Sequence, residues 1–211
     1  MSNPTAPLDL PSDPIDAFLG WLKNAETAGI NEPTAMTLAT ATPQGRPSAR
    51  VVLFKGIGTG KAGMRGIKFF TNYESRKSDE LMKNPFASVC FFWPETGGFR
   101  QRQVRMEGEV TKVAPGESEI YFQSRPRGSR IGAWASPQSR KISSREELLK
   151  LVADVETRFK EAPVPCPPYW GGWCLWPTRI EFWQAGDFRL HDRFVFERTT
   201  LGEWTITRLA P

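Results

Sequence analysis

The stretch Gln103-Val104-Arg105-Met106-Glu107-Gly108-Glu109-Val110 alternates, with Val104, Met106 and Val110 facing one way and Arg105, Glu107 and Glu109 the other. A period of two belongs to a β-strand that is buried on one face and wet on the other. Strands of that kind sit in antiparallel sheets, whose second face can meet water. The neighbouring sequence continues the theme. Residues 86–93 read as a buried strand, and residues 35–41 and 48–55 flank a turn at Pro43-Gln44-Gly45-Arg46. Residues 67–71 form a strand after a Gly-rich stretch, and three more strands, near 173–184, 189–197 and 204–209, close the chain.

Helices punctuate this pattern without dominating it. Asp13 is placed as an N-cap with Pro14 at the first helical position; Ile15, Phe18, Leu19 and Leu22 recur at helical spacing, and Gly29 ends the run. A short helix spans 75–83, and two helical pieces are expected at 115–123 and 128–135. The longest helix covers 143–160. Ser143 with Glu146, or Ser144 with Glu147, makes a capping box, and Leu148, Val152, Val155 and Phe159 form its apolar stripe. The fold class is therefore mostly β with peripheral helices, an antiparallel sheet closed as a barrel. Residues 1–12, Pro-rich and polar, read as a flexible arm before a single domain over 13–211.

Composition narrows the function classes. Lys plus Arg number 28 against 23 Asp plus Glu, a formal charge of +5 that favours anionic partners. The cysteines Cys90, Cys166 and Cys174 are odd in number and lack CxxC spacing, which argues against a disulfide framework and for a reducing compartment. His191 is the only histidine, so multi-histidine metal sites and most histidine-dependent nucleophile triads have little to draw on. No signal-peptide pattern opens the chain and no apolar run reaches membrane-spanning length, so a cytoplasmic location is expected.

Three basic clusters carry the chemistry. Ser75-Arg76-Lys77 sits at a predicted helix start, where cations face the unfavourable end of the helix dipole; a bound anion would resolve that conflict. Ser124-Arg125-Pro126-Arg127-Gly128-Ser129-Arg130 again leads into a helix and suits a second phosphate. The alternatives for both are solvated basic loops or, for the second, a nucleic-acid contact. In Arg189-Leu190-His191-Asp192-Arg193, a strand would align Arg189, His191 and Arg193 on one face, a crowding that calls for an anion or an electron-rich ring. On the strand from Arg50 to Lys55, parity puts the two cations on opposite faces unless a bulge intervenes. Two phosphates beside aromatic surface suggest a phosphorylated cofactor next to a phosphorylated substrate.

These same residues resemble the pyridoxamine 5′-phosphate oxidase family. The likeness runs through Arg50-Val51-Val52-Leu53-Phe54-Lys55, Phe70-Thr71-Asn72 with Ser75-Arg76-Lys77, and Arg102 to Gly108. It continues through Tyr121 to Arg127, Ile131-Gly132-Ala133-Trp134, Gln138-Ser139, Tyr169-Trp170-Gly171-Gly172, and Ile180 to Arg193. The resemblance is collinear from about Asp13 onward and implies an FMN-binding split β-barrel, dimeric, with FMN between subunits. By position, Arg50, Arg76, Lys77 and Ser139 would surround the FMN phosphate, with Gln138 nearby. Val51, Val52, Leu53, Phe54 and Lys55, with Phe70 and Thr71, would line the flavin through backbone and side chains, and Gln103, Trp183 and Arg193 would complete its pocket. Lys55, Tyr121, Arg125 and Ser129 would hold the substrate phosphate. Arg189, Leu190 and His191 would come from the other subunit over the substrate ring, with Arg189 and His191 the catalytic pair. The implied reaction converts pyridoxamine or pyridoxine 5′-phosphate to pyridoxal 5′-phosphate, with O2 as acceptor, hydrogen peroxide as by-product, and no metal, nucleic acid or membrane involved. The rivals are another split-barrel flavoprotein, which need not keep the substrate residues together, and a nucleic-acid module, which would want one continuous basic tract.

Overall fold

Asp13 caps the first helix as its position demands: its carboxylate accepts the Ile15 amide at 2.7 Å, and Pro14 fills a position that needs no donor. This helix, α1 (Pro14–Thr27), ends before Gly29, which turns the chain at φ +74°. The computed structural model describes residues 10–211. Most of the expected arm, residues 1–12, lies outside the described residues; within it, Leu10 packs against the core.

Nine strands follow: β1 (Ala35–Ala41), β2 (Pro47–Leu53), β3 (Ile57–Thr59), β4 (Arg65–Asn72), β5 (Phe86–Trp93), β6 (Arg102–Lys112), β7 (Trp170–Gln184), β8 (Asp192–Arg198) and β9 (Trp204–Arg208). They form one antiparallel sheet in the order β2-β1-β5-β6-β7-β4-β3, with β8 and β9 continuing from β7. The alternation of β6 does what its sequence requires, since Val104, Met106 and Val110 are all buried. Gly108 is obligatory within it. A Cβ there would lie 2.0 Å from the Trp176 carbonyl oxygen, at the bulge where the β6–β7 register shifts. Beyond β2, the Lys55 amide donates to Lys68 O at 2.8 Å and the Lys68 amide to Gly56 O at 2.9 Å, so the sheet curls back onto β4 and closes as a barrel.

Helix α1 packs its apolar face into the barrel core. Phe18 meets Phe91 at 4.7 Å and Phe54 edge-on at 5.3 Å, while Trp21 meets Phe182 edge-on at 5.1 Å. Four more helices, α2 (Arg76–Lys83), α3 (Pro115–Ser124), α4 (Arg127–Ala135) and α5 (Arg145–Arg158), lie outside the barrel. A second, smaller core of Phe122, Ile131, Phe159, Val164 and Trp170 holds α3 and α4 against the start of β7.

Three expectations need correction. The Gly-rich stretch before β4 is not a plain lead-in, because it contains β3 and a 3-10 turn, Lys61–Gly63. The stripe of α5 seats only shallowly: Phe159 is buried just past the helix end, Val152 and Val155 are half-buried, and nothing within α5 is buried. The third bears on function. The strand expected from residue 189 begins only at Asp192, and Arg189 lies in a 3-10 turn, Asp187–Arg189. Phe188 and Arg189 take φ of 53° and 66°, left-handed conformations that cost non-glycine residues energy. Arg189, His191 and Arg193 therefore do not share one strand face.

Candidate functional site

Closure of the barrel beside α3 and α4 leaves a cavity of about 510 Å³. β2 and the residue just past its end supply Arg50, Val51, Val52, Leu53 and Lys55; β4 supplies Phe70 and Thr71; α2 supplies Lys77. The α3–α4 junction adds Tyr121, Arg125, Pro126 and Ser129, and the wall is completed by Gln138 and Trp170. Twelve residues expected from sequence thus line one cavity. Arg50 and Lys55 reach it together despite their opposite parity, because β2 ends at Leu53 and the chain bends at Gly56, φ +111°. Phe54 is the exception in that run. Its side chain is buried in the core against Phe18, so it can face the cavity only through its backbone.

The lining holds four cations (Arg50, Lys55, Lys77 and Arg125) and no carboxylate. The Lys77 ammonium donates to Gln138 Oε1 at 2.7 Å, Thr71 Oγ1 at 3.0 Å and Ser75 Oγ at 3.1 Å, all neutral acceptors. Burial, reinforced by Arg50, pulls its pKa down to about 8. The Arg125 guanidinium lies 4.7 Å from the Trp170 ring centroid, and its Nη1 is buried without a hydrogen-bond partner. An orphan buried donor on a cation is costly unless a ligand satisfies it. Phe70 stacks on Tyr121 at 4.1 Å and on Trp170 at 5.6 Å, so a flat aromatic wall stands beside these cations. Trp170 belongs to the site although its sequence gave no hint beyond family likeness.

Arg76 and Ser139 line a different cavity, each the chain neighbour of a residue of the first, Lys77 and Gln138. Behind both lies Glu80, 4% exposed, which the sequence reading missed. Its Oε1 accepts Arg76 Nε at 2.9 Å, and its Oε2 accepts Thr40 Oγ1 at 2.5 Å and Ser48 Oγ at 2.6 Å, with Arg50 Nη2 at 3.5 Å. Burial alone would raise its pKa, yet the Ser48, Thr40 and Arg76 hydrogen bonds hold it at about 2. The available signal was the four-residue spacing of Arg76 and Glu80 on one helix face.

The remaining predicted residues lie elsewhere. Gln103 pairs with Trp183 across β6 and β7, and Trp183 with Arg193 across β7 and β8. Arg193 is fixed by a second buried carboxylate, Glu181, at 3.0 Å. His191 lies against Trp183, ring centroids 4.6 Å apart, and its Nδ1 accepts the Gly186 amide at 3.2 Å. Leu190 and His191 line a separate cavity with the C-terminal residues Leu209 to Pro211, and neighbouring Arg189 sits in the strained turn. This group is remote from the first. Gly172, opposite Phe70, and Trp183 are eleven residues apart on β7, about 36 Å of extended chain. Each chain therefore carries two separate groups of the expected site residues, near opposite ends of one strand. Among the described residues no cluster of three or more His, Cys, Asp or Glu could hold a metal, and no helix is long and apolar enough to cross a membrane.

Comparison with known proteins gives the chain's relatives. A sequence model described as pyridoxamine 5′-phosphate oxidase matches residues 22–159, and one described as the pyridoxine 5′-phosphate oxidase C-terminal dimerisation region matches residues 170–211. A pyridoxine/pyridoxamine 5′-phosphate oxidase of Paraburkholderia phymatum is 51% identical over 96% of this chain and 91% of its own. Its counterpart in Rubrobacter xylanophilus is 50% identical over 94% and 87%. Among solved structures, PhzG from Burkholderia lata 383, in complex with tetrahydrophenazine-1-carboxylic acid, superposes with a TM-score of 0.86 at 34% identity, covering 96% of this chain and 95% of that one. A pyridoxamine 5′-phosphate oxidase-related, FMN-binding protein of Nostoc punctiforme shares the fold at TM-score 0.72 and 19% identity, covering 98% of both chains.

Proposed function

The chain belongs to the pyridoxamine 5′-phosphate oxidase family, and from that membership we propose that it oxidises pyridoxamine 5′-phosphate and pyridoxine 5′-phosphate to pyridoxal 5′-phosphate. It is an oxidoreductase with FMN as cofactor. The observation that carries the substrate reading is the carboxylate-free cavity, whose cations divide between two places. Arg50 and Lys77 stand at the β2–α2 side, and Arg125, with Tyr121 and Ser129, at the α3–α4 side. That division suits two phosphate groups, one on the cofactor and one on the substrate. The orphan Arg125 Nη1 and the Lys77 ammonium, which meets only neutral acceptors, both fit anionic ligands, so the residues present suit FMN and a phosphorylated vitamer.

When bound, FMN supplies hydride acceptance from the substrate's C4′ carbon and reoxidation by O2 to hydrogen peroxide. The protein orients. Lys55, Tyr121, Arg125 and Ser129 grip the substrate phosphate; Arg50, Lys77 and Gln138, with Arg76 and Ser139 beside them, take the cofactor phosphate. Gln103, Trp183 and Arg193 complete the flavin pocket. Arg189 and His191 cover the substrate ring, where a planar guanidinium does what Lys could not copy. The match of residues 170–211 to a dimerisation region supports a homodimer, and the separated half-sites support sites shared between its subunits.

Releasing the bound cofactor by heat and identifying it chromatographically should give FMN, and peroxide should appear when either vitamer is added aerobically. Recovery of FAD would overturn the cofactor. Turnover of tetrahydrophenazine-1-carboxylic acid, the ligand of PhzG, without turnover of either vitamer would overturn the substrate. A pH effect is also expected. Lys77 in the FMN-free protein is charged below its pKa of about 8 and neutral above it. A bound phosphate favours the charged form, so binding takes up a proton above that pH and FMN affinity falls, by up to about tenfold per pH unit. Fluorescence titration should show this fall for FMN and not for riboflavin, and Lys77→Arg should remove it.

A further inference from the structure

We infer that Glu80 is a positioning residue that presets Arg50 and Arg76 for a phosphate monoester. This rests on the FMN reading above and goes beyond it, since Glu80 lines neither cavity.

A carboxylate behind an anion site is at first sight misplaced, because its charge opposes the ligand's. The arrangement shows why it is tolerated. Glu80 ties together three elements: Thr40 from β1, Ser48 and Arg50 from β2, and Arg76 one turn earlier on α2. Arg50 is also linked to it through Thr40, whose hydroxyl accepts Arg50 Nη1 at 2.6 Å and donates to Glu80. Without this anchor, Arg50 and Lys77 would line a cavity that holds no carboxylate, and Arg76 would have only the carboxylates of Glu74 and Asp79 in its own cavity. Like charges in that state repel, and long side chains swing out into water. With it, Arg50 and Arg76 are both tied to one buried carboxylate, and Lys77 keeps only neutral acceptors, which leaves cationic donors for a phosphate. Both Glu80 oxygens are committed to protein donors at 4% exposure, so the carboxylate points away from where a ligand would enter. Preorganisation of this kind lowers the ordering cost of binding.

The prediction separates positioning from general structural support. Glu80→Gln preserves shape but offers one acceptor oxygen where Thr40, Ser48, Arg50 and Arg76 converge, and its amide must face at least one donor. The flavin-depleted full chain, wild type and variant, would be titrated with FMN and with riboflavin, which lacks the phosphate. We expect the FMN Kd to rise about tenfold or more and the riboflavin Kd to stay within about twofold. A parallel rise for both ligands would assign Glu80 a purely structural role and overturn the inference. Unchanged or tighter FMN binding would overturn it too, because Glu80 would then be neutral or a competitor of the phosphate. Should Glu80→Gln fail to fold, Thr40→Val, which removes the hydroxyl link to Arg50, is read by the same ratio; an unmoved ratio there overturns the inference. Failure of the wild type to bind FMN is a distinct result that would sink the cofactor assignment itself.

Discussion

Lys55→Ala chains refolded together with Arg189→Ala chains should recover roughly a quarter of wild-type activity, although each variant refolded alone stays inactive. Lys55 lines the cavity near the start of β7, where Phe70 pairs with Gly172, whereas Arg189 sits past the other end of that strand. If each site takes Lys55 from one subunit and Arg189 from the other, a mixed dimer concentrates both defects in one site and leaves the other intact. Random pairing makes half the dimers mixed, and each has one working site of two. A site built within one chain would keep one defect everywhere, and no activity would return. Refolded wild type calibrates FMN recovery. Activity at the single-mutant level in proven mixed dimers would rule out the shared site.

Arg125→Ala should weaken substrate binding by about ten- to two-hundred-fold, the range for losing one charge-assisted contact, and leave flavin reduction at saturating substrate nearly unchanged. Arg125 sits against Trp170, in the part of the cavity proposed for the substrate phosphate, away from the reacting carbon. Arg189→Ala should slow the reduction step as well, because Arg189 is proposed to fix the ring from which hydride leaves. Single-turnover reduction measured with both variants separates the two roles. Equal loss of the saturating rate would contradict them.

The strand pattern of this fold was open to reading because one buried face imposes a period of two, as along β6. The N-cap at Asp13 was legible for a similar reason: one side chain and one following proline determine it locally. What escaped depends on contacts distant in sequence. Glu80 reads as an ordinary charged helix residue until Thr40 and Ser48, 40 and 32 positions earlier, are seen to meet it. Trp170 becomes a site wall only because the small core under α3 and α4 turns its ring toward Arg125. The turn at Phe188 and Arg189 misled for another reason. Nothing in Asp187-Phe188-Arg189-Leu190 advertises a left-handed backbone, for which glycine or asparagine is the usual sign.

The proposed sharing of sites between subunits, from residue groups at opposite ends of β7, has a genetic consequence. Suppose wild-type and mutant chains are made in equal amounts in one cell. A chain bearing Lys55→Ala alone spoils one site in each mixed dimer, so about half of all sites survive and the allele behaves as recessive. A chain bearing both Lys55→Ala and Arg189→Ala contributes one defective half to each of the two sites. Every mixed dimer is then dead and only about a quarter of sites remain. Dominance would thus arise from combining two recessive lesions on one chain, whereas the same two lesions on separate chains would complement.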